Sequence, residues 1–129
     1  MTRAVNKKRP VNLDLRTIKQ PLPAITSILH RATGVALFVA AAFMMYALGM
    51  SLESEAGFNE AVEMFENGFL AKLIAWGCVS ALLYHFFAGI KHLVMDFGHC
   101  EELESGLKAA QITLGLSAVA VLLAGVWIW

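Results

Sequence analysis

The side chain in this sequence with the greatest chemical leverage is His85. It sits among apolar residues, in a stretch from Leu73 to Ile90 that contains no Asp, Glu, Lys or Arg. An imidazole in such surroundings is costly unless it is paired, so it marks a functional position by default. A ligand or proton-relay role competes with a neutral histidine bonded to a backbone carbonyl or to a Ser on a neighbouring helix. Helical steps of three and four residues align Cys78, Ala81, His85, Gly89 and His92 on one stripe. Small residues on either side of His85 suit a bulky flat cofactor lying against the backbone, and an imidazole nitrogen is a common ligand of haem iron. A six-coordinate haem needs a second axial ligand. His30 and His92 are expected nearer the membrane boundary and His99 in a loop, so another subunit is the expected source.

A second constellation is Ser27, His30 and Arg31, spaced to share one helical face. Arg31 brings a fork of donors and Ser27 a short hydroxyl. Together they could donate to a quinone carbonyl, or Arg31 and His30 could hold a haem propionate. Equally weighted is a plainer role, in which Arg31 meets lipid phosphate and Ser27 caps the helix. Asp96 follows His85 by eleven residues near the same stripe. It could pair with Lys91 or His92 or relay protons, although surface pairing is the commoner use.

These residues must be positioned by membrane spans. The 129-residue chain is 58% apolar and only 16% charged, a balance foreign to soluble domains. Besides Leu73 to Ile90, the stretches Ala32 to Leu52 and Ala109 to Trp129 carry no charged side chain. Each is about as long as a helix needs to cross a bilayer, at roughly 1.5 Å per residue. The expectation is an all-α membrane protein of one domain, 1–129, with spans about 27–52, 70–95 and 107–129 after an N-terminal segment 1–23. Lys72 and Lys91, flanking the middle span, are expected to snorkel to the interfaces. No cleaved signal peptide is expected, because the first thirty residues lack a continuous apolar region followed by a small-residue cleavage site.

Arg3, Lys7, Lys8, Arg9, Arg16, Lys19 and Arg31 precede the first span, while the next loop, Glu53 to Phe69, holds glutamates and no basic residue. The positive-inside rule then puts the N-terminus in the cytoplasm and the C-terminus outside, in the periplasm of a bacterium. Pro10, Pro21 and Pro23 argue against a long helix before Ala24. Leu13, Leu15 and Ile18 alternate with charged neighbours, fitting either a surface-lying segment or a solvated basic tail. Cys78 and Cys100 are expected to be free thiols at different depths. Abundant small residues (Gly34, Ala40, Ala88 and Gly89 among them) imply close helix packing and partner helices from another chain.

Two stretches carry a family resemblance. Arg9-Pro10-Val11 leads to Ser27-Ile28-Leu29-His30-Arg31-Ala32-Thr33-Gly34, and later comes His85-Phe86-Phe87-Ala88-Gly89-Ile90-Lys91-His92-Leu93-Val94-Met95-Asp96-Phe97-Gly98. In this order they resemble the signature regions of the cytochrome b subunits of succinate dehydrogenase, the larger membrane anchor of respiratory complex II, in its bacterial four-subunit form. The resemblance implies an inner-membrane location and His85 as axial ligand of a haem b shared with a second anchor subunit. Ser27 and Arg31 match ubiquinone-site residues, and His30 and Arg31, with His92, fall in the haem pocket near the propionates. Asp96 becomes a candidate proton relay. Lys91 stands where the family usually has Arg, which weakens any bidentate contact there. Partners implied are a flavoprotein, an iron–sulfur subunit, the second anchor and the bilayer, with no nucleic acid. Electrons from succinate would pass to ubiquinone. A fumarate reductase anchor running in reverse, or a cofactor-free structural membrane protein, are the alternatives.

Overall fold

The structure, a computed structural model, describes residue 14 and residues 16–129. Arg3, Lys7, Lys8, Arg9, Pro10, Leu13 and Leu15 lie outside the described residues. The described chain holds α1 (Leu22–Glu53), α2 (Glu55–Asn67), α3 (Phe69–Asp96) and α4 (Leu103–Ile128), and no strand. Of these, α1, α3 and α4 are long and apolar enough to cross a membrane.

Helix α1 starts where proline allows. Pro21 is its N-cap and Pro23 lies in the first turn, where a missing N–H costs no helical bond. At 32 residues it runs to about 48 Å at 1.5 Å per residue, longer than the hydrocarbon thickness, so it must tilt or project from it. The acidic connection forms a helix of its own. Ser54 Oγ caps α2 by accepting from the Gly57 N–H at 3.0 Å. Phe58, Ala61, Val62 and Phe65 turn one side of α2 towards α1, and Phe65 meets Phe43 edge-on at 6.2 Å between ring centres. Glu60 and Glu63 stay exposed, as does Glu66 at the edge of the groove between α2 and α1.

Helix α3 is central, packed on both α1 and α4. The buried residues of the bundle are nearly all small: Ala47, Ala61, Ala71, Ala88 and Ala110 among the apolar ones, Thr26, Thr113 and Ser117 among the polar. Large side chains such as Phe38, Leu122 and Val126 face outward. This inversion of a soluble core follows from the solvent. Lipid gives Leu no reason to hide, so close backbone approach and interhelical hydrogen bonds supply the association. Thr113 and Ser117 return their hydroxyls to the carbonyls four residues earlier, at 2.9 and 2.7 Å, and can therefore be buried without loss.

The bundle is closed at both ends. The α3–α4 turn uses Gly98 at φ +80, in the left-handed region that a glycine enters without strain, and Cys100 at φ 59. At the opposite end Trp76 Nε1 donates to Val121 O at 3.0 Å. The rings of Trp76 and Phe69 lie 6.0 and 6.2 Å from that of Trp129, tying α3 to the C-terminus of α4. Cys78 and Cys100 are free.

Candidate functional site

Where α1 crosses α3, three histidines gather. The rings of His30 and His85 stack with centroids 4.0 Å apart and planes within 17°. His92 lies 5.1 Å from His30, tilted by 47°. Glycine makes this closeness possible. A Cβ on Gly34 would come within 3.2 Å of His85 Cε1, and one on Gly89 within 3.6 Å of His30 Nε2. Each imidazole thus leans on a glycine of the facing helix. Around His85 and Gly89 the small-residue stripe of α3 packs against α1, while further along Cys78 and Ala81 line an open apolar groove with Ala36 and Ala40. His30 is also level with His85 in the stack, where the sequence placed the two at different depths. The helices run antiparallel, which brings the start of one beside the end of the other.

The hydrogen bonds of His85 define its chemistry. Nδ1 lies 3.0 Å from the His30 carbonyl oxygen and 3.1 Å from Thr33 Oγ1. A carbonyl only accepts, so Nδ1 carries the proton and donates. Thr33 directs its own hydroxyl hydrogen to Leu29 O or His30 O, at 3.0 and 2.9 Å, and can accept from His85. In the neutral imidazole, Nε2 then holds a free lone pair on the opposite side of the ring, with no partner among the described residues. An outer partner on one nitrogen fixing the tautomer and aim of the other is the arrangement of a metal-ligating histidine. This donor set fits a single axial ligand. Among the described residues no group of three His, Cys, Asp or Glu could hold a bare metal ion.

The rings of His30 and His85 lie side by side, so their nitrogens do not face each other across a common space.

Ser27 and Arg31 occupy the stripe of α1 next to the one that touches α3. Ser27 is half-buried and Arg31 exposed. Neither side chain makes a hydrogen bond or ion pair among the described residues, so their donors are free. Asp96 is exposed at the last residue of α3, one turn beyond His92. The structure therefore brings His30, His85 and His92 together, sets Ser27 and Arg31 alongside, and leaves Asp96 at the rim.

Lys91 departs from expectation. It does not snorkel to an interface; it is 5% exposed, and its Nζ donates to Thr26 Oγ1 at 2.9 Å. Thr26, wholly buried, passes its own hydrogen to Pro23 O at 2.9 Å, and Tyr84 Oη donates to Thr26 O at 2.9 Å. The cause is rotational. Tyr84, Ala88 and Lys91 form a flank of α3 about a third of a turn from His85, and Lys91 also borders α4 beside Ala109 and Thr113. There the first turn of α1 closes over the amine before it can reach water. Sequence reasoning missed this clamp, although Tyr84, Ala88 and Lys91 stand at the four- and three-residue steps of a shared flank.

Apolar helices with small residues at their seams, and polar side chains gathered at one crossing, define a helical membrane bundle. Comparison with known proteins is specific. A family model described as succinate dehydrogenase/fumarate reductase transmembrane subunit matches residues 5–124. The succinate dehydrogenase cytochrome b556 subunit of Coxiella burnetii is 42% identical over 125 residues, covering 97% of this chain and 100% of that protein. Its counterpart in Paracoccus denitrificans is 34% identical over 115 residues, 89% of this chain and 88% of that one. The cytochrome b560 subunit of Reclinomonas americana is 34% identical over 128 residues, 96% and 88% respectively. The chain belongs to the succinate dehydrogenase/fumarate reductase transmembrane subunit family, as a multi-pass inner-membrane anchor of a complex II enzyme.

Proposed function

We propose that this anchor binds a b-type haem through His85 Nε2 and forms one wall of a ubiquinone site with Ser27 and Arg31. Electrons taken from succinate by the soluble subunits would then reach ubiquinone at the membrane surface. The observation that carries the reading is the tethering of His85. Its Nδ1–H is held by His30 O at 3.0 Å, which leaves Nε2 unprotonated with its lone pair free. The relatives' names, cytochromes b556 and b560, support the same cofactor.

A haem bound there supplies a one-electron relay. The chain's own residues do the rest. His85 Nε2 would hold its iron, and His30, His92 and Arg31 would offer donors to its carboxylates. A second anchor subunit would supply the other ligand. Ser27 Oγ and the Arg31 guanidinium donate to a quinone carbonyl oxygen and stabilise the negative charge that grows there on reduction. The exposed carboxylate of Asp96, one turn from His92, can hand on protons from water. Arg16, Lys19, Arg31 and Lys108 mark the cytoplasmic side, and the glutamates of α2 the periplasmic side. Flavin and iron–sulfur chemistry belong to the partner subunits.

The test uses the intact complex in mild detergent. His85→Ala should remove or shift the b-type band in a reduced-minus-oxidised spectrum; an unchanged band refutes ligation. Ser27→Ala and Arg31→Ala should slow quinone reduction by roughly ten- to a hundredfold, as loss of one donor to a developing charge does. Reduction of an artificial dye by the soluble subunits should be spared. Quinone reduction at the parental rate in both variants would refute the role, whereas equal loss of both activities would indicate failed assembly.

A further inference from the structure

We infer that Thr33 is a positioning residue for the haem ligand, its hydroxyl oxygen holding the His85 imidazole in register and tuning the redox potential of the bound iron. The inference rests on the ligation proposed for His85 and adds a residue not assigned to the site until now. Thr33 lies one turn beyond His30 on α1, on the stripe that faces α3. A threonine in a helix ordinarily returns its hydroxyl to a carbonyl three or four residues back and does nothing else. Here that bond exists, to Leu29 O at 3.0 Å and His30 O at 2.9 Å. It spends the hydrogen and leaves the oxygen lone pairs free, and one of them meets His85 Nδ1 at 3.1 Å across the interface. His85 Nδ1–H, His30 O and Thr33 Oγ1 close a small triangle in which the imidazole donor has two acceptors.

Both acceptors draw Nδ1–H towards them and push electron density to Nε2. A richer Nε2 favours the ferric over the ferrous ion, so removing one acceptor should raise the midpoint potential. The His30 carbonyl remains as the second acceptor, so ligation should survive. A hydrogen bond of ordinary net strength corresponds to roughly a threefold to tenfold shift of the ferric/ferrous ratio. At 59 mV per decade for one electron this is about 28–59 mV.

The experiment compares Thr33→Val, Thr33→Ala and Thr33→Ser in the purified complex, with dye reduction by the soluble subunits as the check on assembly. Redox titration of the b-type band is the readout. The valine and alanine variants should titrate at a higher potential, and serine, which restores the hydroxyl, should titrate like the parent. Loss of the band in both hydroxyl-free variants, with serine retaining it in an assembled complex, also supports the role. An unchanged potential in either assembled hydroxyl-free variant overturns it, as does a serine variant that behaves like valine. His85→Ala separates the two readings. If His85→Ala keeps the parental spectrum, ligation itself fails; if it loses the band while Thr33→Val titrates normally, only the role of Thr33 fails.

Discussion

The buried Lys91 clamp makes a prediction of unusual sign. Lys91 is 5% exposed and donates to the hydroxyl of a fully buried Thr26. No carboxylate lies within ion-pair distance of it among the described residues, where the ion pair is Lys108 with Glu104. An ammonium so placed is expensive to bury and recovers little from one neutral acceptor. Thr26→Val removes that acceptor and leaves the charge in place, which should cost about 1–2 kcal/mol, between the values for charged hydrogen bonds in soluble proteins and for interhelical bonds in membranes. Lys91→Met removes the charge and keeps the stem, and should change stability by less than about 1 kcal/mol in either direction. Combining them should cost less than Thr26→Val alone, a coupling on the order of 1 kcal/mol between residues in contact. The assay is thermal loss of the chain from detergent-solubilised complex. If Lys91→Met proves more harmful than Thr26→Val, or if the two effects simply add, the clamp does not work as described.

Further outcomes follow from single contacts. Gly34→Ala places a methyl 3.2 Å from His85 Cε1, so it should lower haem content, measured by the b-type band per complex, with Gly34→Val lowering it further. Trp76→Phe removes the bond to Val121 O but keeps the ring; thermal stability of the complex should fall by about 1 kcal/mol. Gly98→Ala, at φ +80, should cost about 1 kcal/mol in the same assay, the usual strain of a side chain in the left-handed region. Glu104→Gln breaks an exposed pair with Lys108 and should change stability by less than about 0.5 kcal/mol.

What could be read beforehand follows from the physics of each signal. Membrane spans declare themselves because the cost of charge in lipid is large and one-sided, so stretches such as Ala109 to Trp129 admit no other use. The α2 helix was equally present, in the Ser54 cap and the three- and four-residue spacing of Phe58, Ala61, Val62 and Phe65. Five glutamates between Glu53 and Glu66 mask it, because dense charge suggests a loop and outweighs so short an apolar face. The stripe carrying His85, Gly89 and His92 was legible from helical period alone, but what it would face was not. Small residues mark close approach without saying to what, and here the answer was another imidazole. Lys91 shows the same limit. A lysine at a span's end can bury its stem and free its amine, or be covered, and only the docking of a neighbouring helix decides between them.

The rigidity of α1 connects these local facts. Thr26, His30 and Thr33 follow one stripe against α3, held respectively by Lys91 Nζ, by stacking on His85, and by His85 Nδ1. Ser27 and Arg31 ride on the adjacent stripe of the same turns. A helix rotates as a unit over so short a span, at about 100° per residue. Any slip that re-aims Ser27 and Arg31 must therefore also strain the His85 bonds, and loss of His85's partners loosens the donors offered to quinone. On this account the Lys91–Thr26 bond contributes register more than binding energy, which is the best-attested use of a buried polar group. Thr26→Val should then shift the redox behaviour of the b-type centre and the rate of quinone reduction together, although Thr26 need touch neither ligand. If one changes and the other does not, in complex that keeps its dye-reducing activity, the two sites are not coupled through α1.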